Sequence, residues 1–157
     1  MSLGGGGGGQ MQELQQQMQA IEQEIESLDE EIEEIRQEKT GVDEAVEAVE
    51  RLDSGDTVQV PLGGGAYVRA EVADIDEIVV ELGGGYAAER DQAGAIESLN
   101  RRKDLLDEQI ADVQEEVAEL EAESDQLEQQ AQQMQQQQMQ QLQQQMGQQD
   151  DGDGDDE

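Results

Sequence analysis

The strongest constraint on this chain is a spacing. From Met11 onward, alternating steps of three and four residues meet Met11, Leu14, Met18, Ile21, Ile25, Leu28, Ile32, Ile35, Lys39, Val42, Val46 and Val49. Eleven of these twelve are apolar, and the positions between them are mostly Glu and Gln. Such a heptad puts one narrow apolar stripe on a helix, and the stripe has to be covered by another helix. Lys39 is the one polar member of the seam. Gly41 weakens the helix by about 1 kcal/mol relative to Ala and marks a soft spot. Asp53, Ser54 and Gly55 end the pattern.

A second seam follows the middle of the chain: Ile96, Leu99, Lys103, Leu106, Ile110, Val113, Val117, Leu120, Ser124, Leu127, Ala131 and Met134, ten of twelve apolar. Met139, Leu142 and Met146 then keep the spacing but are shifted by one residue. A phase break of this kind predicts fraying or a local change of pairing. Both seams have the same number of layers. Antiparallel pairing puts residues whose numbers sum to 145 together, such as Val49 with Ile96, Ile25 with Leu120 and Met11 with Met134. Each seam would run about 57 Å at 1.5 Å per residue. A parallel pair would need a connector travelling that whole distance back, so the antiparallel pair is expected.

The connector reads as strands. Val58, Val60 and Leu62 alternate within 57–62, Gly63-Gly64-Gly65 follows, and 66–72 places Val68 and Val72 opposite Tyr67, Arg69 and Glu71. The pattern repeats through Ile78, Val80 and Leu82, then Gly83-Gly84-Gly85, then Tyr86 to Glu89. Three-residue glycine loops predict two hairpins, because glycine supplies positive φ without steric cost. Pro61 suits an edge or strand end. Two short hairpins are marginal alone in water and expose their edges. They are therefore expected to pair with hairpins of other subunits, which makes the chain an obligate oligomer.

Composition now has to be reconciled with this pattern. The 157 residues hold 41 Asp or Glu against 8 Lys or Arg, a net charge of −33. Leu, Ile and Val make up just under a fifth of the chain, and Phe is absent. Taken alone, those values describe a disordered chain. A two-helix coil, however, needs only about two apolar residues in seven. The absence of His and Cys excludes Ser-His-Asp and Cys-His catalysis, thiol chemistry, disulfides and an ordinary zinc site. No catalytic residue, metal site or cofactor is expected. The paired carboxylates, such as Glu30-Glu31 and Glu33-Glu34, fall on the solvated face, and no EF-hand spacing occurs. The glycine triplets lead into strands without a Lys or a helix N-terminus, so they are turns rather than phosphate cradles.

The charge would repel nucleic acid, and no apolar run approaches the roughly 18 residues of a membrane span. Met1-Ser2-Leu3 and the six glycines lack the apolar core of a signal peptide. A soluble, cytoplasmic protein is expected. Acids spread over most of the chain, with Arg outnumbering Lys by six to two, fit life in concentrated salt, where the Debye length falls to about 3 Å at 1 M. An acidic mimic of nucleic acid or a calcium sponge would cluster its carboxylates instead.

One region escapes the acidity. Residues 129–149 carry no charge and are 15 Gln in 21, while 10–20 carry only Glu13. Apart from Met1, every methionine lies near these ends: Met11, Met18, Met134, Met139 and Met146. Antiparallel pairing brings the two ends together. Methionine is flexible and polarizable, which suits varied partners. It also fills seam positions in a Gln-rich segment of low complexity, and the residues alone leave both readings open.

The central block resembles the alpha-type subunits of the archaeal prefoldin family. The resemblance rests on Val60-Pro61-Leu62-Gly63-Gly64-Gly65-Ala66-Tyr67-Val68 and Ile78-Val79-Val80-Glu81-Leu82-Gly83-Gly84-Gly85-Tyr86, with Glu89, Ala93 and Ile96 after them. It covers residues 10 to about 147, and two hairpins rather than one fit the alpha type. The resemblance implies an ATP-independent chaperone in which two alpha and four beta subunits join hairpins into a double β-barrel. Coiled-coil tips would then hold unfolded clients for a group II chaperonin. The six-glycine leader, the Gln-rich extension and the acidity depart from the pattern.

The expected fold is thus α+β: a long antiparallel two-helix coiled coil with two hairpins that join an intersubunit β-barrel. Its segments are a disordered leader (1–9), a helix (10–53), the hairpins (54–90), a second helix (91–147) and a disordered acidic tail (148–157). The expected capture residues are Met11, Leu14, Met18, Ile21, Leu127, Met134, Met139, Leu142 and Met146. The expected assembly residues are Val58, Val60, Leu62, Tyr67, Val68, Ile78, Val80, Leu82 and Tyr86. The competing reading is a structural coiled-coil adaptor for one folded partner.

Overall fold

A computed structural model describes residues 5–150. The order of elements is α1 (Gly5–Arg51), β1 (Thr57–Gly63), β2 (Ala66–Glu71), β3 (Ile78–Gly83), β4 (Tyr86–Arg90) and α2 (Gln92–Asp150). The helix ends differ from the expected segments: α1 starts five residues before position 10 and stops two before 53, and α2 starts at 92 and runs three past 147. Gly5–Gly9 continue α1 although glycine is a poor helix former, because extending an existing helix costs far less than starting one. The remainder of the expected leader and tail, 1–4 and 151–157, lies outside the described residues. The chain divides into two compact units, Glu31–Asp112 and the two helical stretches outside it.

In the first unit, the helices pair antiparallel in the expected register. Lys39 meets Asp107 at 2.6 Å and Lys103 meets Asp43, so both contacts join residues whose numbers sum to 146. Ile32, Ile35, Val42 and Leu106 are buried along the seam, and Ala95, just before its first residue on α2, is buried too. The core is a thin line of side chains, which explains how so few apolar residues suffice. The two lysines sit on opposite helices at successive layers, each half-buried and each reaching an acid just beyond the seam. The other cations lie here too. All eight fall between Arg36 and Lys103, and the second unit carries none.

The hairpins are separate two-stranded antiparallel sheets. Val58 pairs with Ala70 and Val60 with Val68, which puts these four on one face. Ile78 pairs with Arg90 and Val80 with Ala88 in the second hairpin. The turns differ from the three-residue loops expected. Gly63 pairs with Ala66 and Gly83 with Tyr86, leaving two-residue turns, and the register shifts by one at Leu62 and at Leu82. Gly64 (φ 61°) and Gly65 (φ 82°) have the positive angles of a type I′ turn, which matches the strand twist. The first glycine of each triplet, also at positive φ, belongs to a bulge rather than to the turn.

Side chains close the ends of the helices. Gln92 Nε2 donates to the carbonyls of Val49 (2.8 Å) and Leu52 (3.2 Å), capping the C-terminus of α1 from the first residue of α2. Asp91 Oδ1 accepts the Gly94 N–H at 2.7 Å as the N-cap of α2. Val72 continues the first hairpin to the helix end by exchanging backbone bonds with Gly55 (2.7 Å) and Asp56 (2.8 Å).

In the second unit, Ile21 and Val113 are buried, and Met11, Leu14, Met18, Ile25, Leu28, Val117, Leu120, Leu127 and Met134 are half-buried. Leu28 and Leu120 line one shallow groove, and Leu14 and Met134 another, each pair one seam step away from same-layer partners in an antiparallel pairing.

Candidate assembly and capture surfaces

The nine residues expected at the tips separate into two groups. Met11, Leu14, Met18, Leu127 and Met134 are half-buried in the seam and Ile21 is buried. Leu14 and Met134 come together in a groove of about 300 Å³ with Gln10, Glu13, Gln17 and Gln130. Met139, Leu142 and Met146 instead stand 66%, 58% and 71% exposed. The phase break explains the difference, because it turns these three off the seam.

The expected assembly residues also divide. Val60, Leu62, Tyr67, Val68, Leu82 and Tyr86 are exposed, with Tyr86 at 76%. Val58 and Ile78 are half-buried, and Val80 is buried at 6% within its own unit. The first hairpin thus leaves its Val60 and Val68 face open, while the second covers the corresponding position. Alternation missed Val79, which is 68% exposed on the opposite face of β3. Exposed leucine, valine and tyrosine side chains and unpaired strand edges on one small element are what a subunit contact uses.

Two lysines stand at the seam, each paired with an acid of the other helix. The hydrogen bond to Asp43 holds the Lys103 ammonium above the usual lysine value, with Asp43, Asp107 and Asp104 adding to it and desolvation opposing. Among the described residues, no cluster of His, Cys, Asp or Glu could hold a metal ion. None of their helices is long and apolar enough to cross a membrane.

A family model described as Prefoldin subunit matches residues 9–138. The chain belongs to the prefoldin family. It is similar to the prefoldin alpha subunit of Haloarcula marismortui, 62% identical over 105 residues, covering 67% of this chain and 68% of the relative. It is likewise similar to the prefoldin alpha subunit of Halorubrum lacusprofundi, 61% identical over 110 residues, covering 70% and 72%. A solved structure described as filamentous PFD from Methanocaldococcus jannaschii matches at 26% identity and TM-score 0.49, covering 74% of this chain and 93% of that one. The chain is a prefoldin alpha-type subunit of a salt-loving archaeon, and its role is that of a chaperone subunit rather than an enzyme.

One surface of this prefoldin subunit was not foreseen. Arg90 at the end of β4, Arg101 and Arg102 on α2, and Leu82 and Leu105 line a cleft of about 420 Å³ within the first unit. Only one part of it shows in the sequence: Leu105 lies off the heptad, one helical turn after the consecutive Arg101-Arg102, but the fold alone brings Arg90 and Leu82 to them.

Proposed function

We propose that this subunit captures unfolded proteins at the free ends of its helices and assembles with other prefoldin subunits through its hairpins. The observation that carries the reading is the exposed run of Met139, Leu142 and Met146 on a stretch without charge. On an otherwise acidic chain, this stretch offers apolar side chains without repelling an acidic client. Full burial of one such side chain contributes about 1.5–3 kcal/mol, and ordering the client segment offsets part of it. A single arm therefore holds a client weakly, with an affinity on the order of the millimolar level that corresponds to about 4 kcal/mol. Several arms acting on one client supply the missing affinity through effective concentration. Half-buried Met11, Leu14, Met18, Leu127 and Met134, with buried Ile21 behind them, add surface when the last layers of the seam open.

The proposed assembly is two alpha subunits with four beta subunits, joined through the exposed hairpin residues into an intersubunit β-barrel. The client passes to a group II chaperonin in the cytoplasm. The test is truncation. Removing 1–20 and 128–157 abolishes suppression of client aggregation, measured by light scattering, and leaves the native mass of the complex with a beta-type subunit unchanged apart from the deleted residues. Undiminished suppression by the truncated complex would sink the capture reading.

A further inference from the structure

We infer that the arginine-rimmed cleft beside the second hairpin is a docking site for an acidic, leucine-anchored segment of a neighbouring prefoldin subunit. The inference rests on the reading of the hairpins as assembly elements and names a contact those strands do not make by themselves.

The cleft has two kinds of wall. Leu82 on β3 and Leu105 on α2 are both more than half exposed, and Leu106 behind them is buried in the seam. Together they form an aliphatic floor wide enough for one branched side chain. Arg90, Arg101 and Arg102 stand around it with Glu38 and Glu81, so three cations face two carboxylates on a chain whose net charge is −33. Arg102 is committed internally. Its guanidinium lies 2.7 Å from Glu38 on α1 and 3.9 Å from Glu81 on β3, which ties the hairpin to both helices and fixes one wall. Among the described residues, the one ion pair of Arg101 is to Glu97, one turn back on its own helix and itself exposed. Arg90 has no ion pair among the described residues.

A chain of this charge that contacts another acidic subunit must bury its apolar surface without placing carboxylate against carboxylate. This cleft is where the present chain can receive the other's acids. A guanidinium binds a carboxylate bidentately. In about 1 M salt the Debye length is only about 3 Å, so such pairs act at contact and not at a distance. The apolar floor is then required to bring them into contact, and burial of an aliphatic anchor keeps its strength in salt. The occupant is assigned by continuity. Leu82 and Gly83 line the cleft and also end β3, so a subunit paired with that hairpin is already at its edge.

The test uses the full chain and a prefoldin beta-type subunit from a salt-loving archaeon, titrated against each other in high salt and followed by native mass. The double variant Arg90→Glu/Arg101→Glu should assemble at least tenfold more weakly than wild type, with an unchanged helical circular-dichroism signal. Leu105→Ala removes the anchor without altering charge and should weaken assembly several-fold, which gives a second readout if the double reversal disturbs the hairpin. Wild-type affinity in a folded double variant overturns the inference and leaves the hairpin reading standing. Failure of the wild-type chain to assemble with the beta-type subunit overturns both.

Discussion

Gln92 shows how much a single side chain can hold in a fold with so thin a core. Its amide nitrogen donates to two carbonyls at the end of α1 while its own backbone opens α2, so one residue joins both helices at the point where the hairpins leave. Carbonyls left without a partner in a half-buried place cost about 1–3 kcal/mol. Gln92→Ala should therefore lower stability by about 1–2 kcal/mol, seen as a lower denaturation midpoint with an unchanged slope. A midpoint equal to wild type would mean that water caps the helix equally well. The neighbouring Gly94 has a different reason for being small. A Cβ there would lie 2.7 Å from the capping oxygen of Asp91.

At the scale of the elements, the two lysines are the conspicuous exception to an apolar seam. Each is half-buried and paired across to the other helix, Lys39 to Asp107 and Lys103 to Asp43. Polar seam residues select a pairing at some cost in stability. Lys39→Leu/Lys103→Leu should thus raise the melting temperature by a few degrees. It should also change the response to alkali. The folded-state value of Lys103 is raised, so its contribution is complete below the ordinary lysine value of about 10.4 and fades as pH climbs through the raised one. Melting curves from about pH 8 to 12 should show this alkaline loss in wild type and less of it in the double variant. Identical profiles would remove Lys103 from the account.

The seams themselves were legible in the sequence because a heptad reports helix, face and partner at once. Layer counting predicts a pairing sum of 145, and the lysine contacts across the helices sum to 146; past the break before Met139 the helix continues with its apolar residues exposed. The turns were less legible. Three glycines suggest a three-residue loop, whereas the structure forms a two-residue turn and places the first glycine in a bulge with Leu62 or Leu82. Period-two alternation fixes faces but not which face the chain itself covers, so Val80 and Val60 look alike until the fold buries one of them. The cleft was illegible for a simpler reason. Arg90, Leu82 and Leu105 lie on three elements, and no spacing connects them.

For the whole molecule, salt is the controlling variable. With a net charge of −33, self-repulsion reaches about 30 Å at 0.01 M salt and about 3 Å at 1 M. Transfer from molar to millimolar salt should lower the melting temperature and reduce helicity by circular dichroism, reversibly. A chain equally stable at both would not owe its acidity to salt. The distribution of that charge has a consequence for any assembly containing several copies. Every cation lies between Arg36 and Lys103, so the remaining helical stretches carry one sign only until the neutral ends. Like-signed rods brought side by side push one another away, and no strut has to be built to keep the space between them open. Salt shortens the range of that push to about the width of a water molecule, so in concentrated salt such rods can approach one another until they nearly touch.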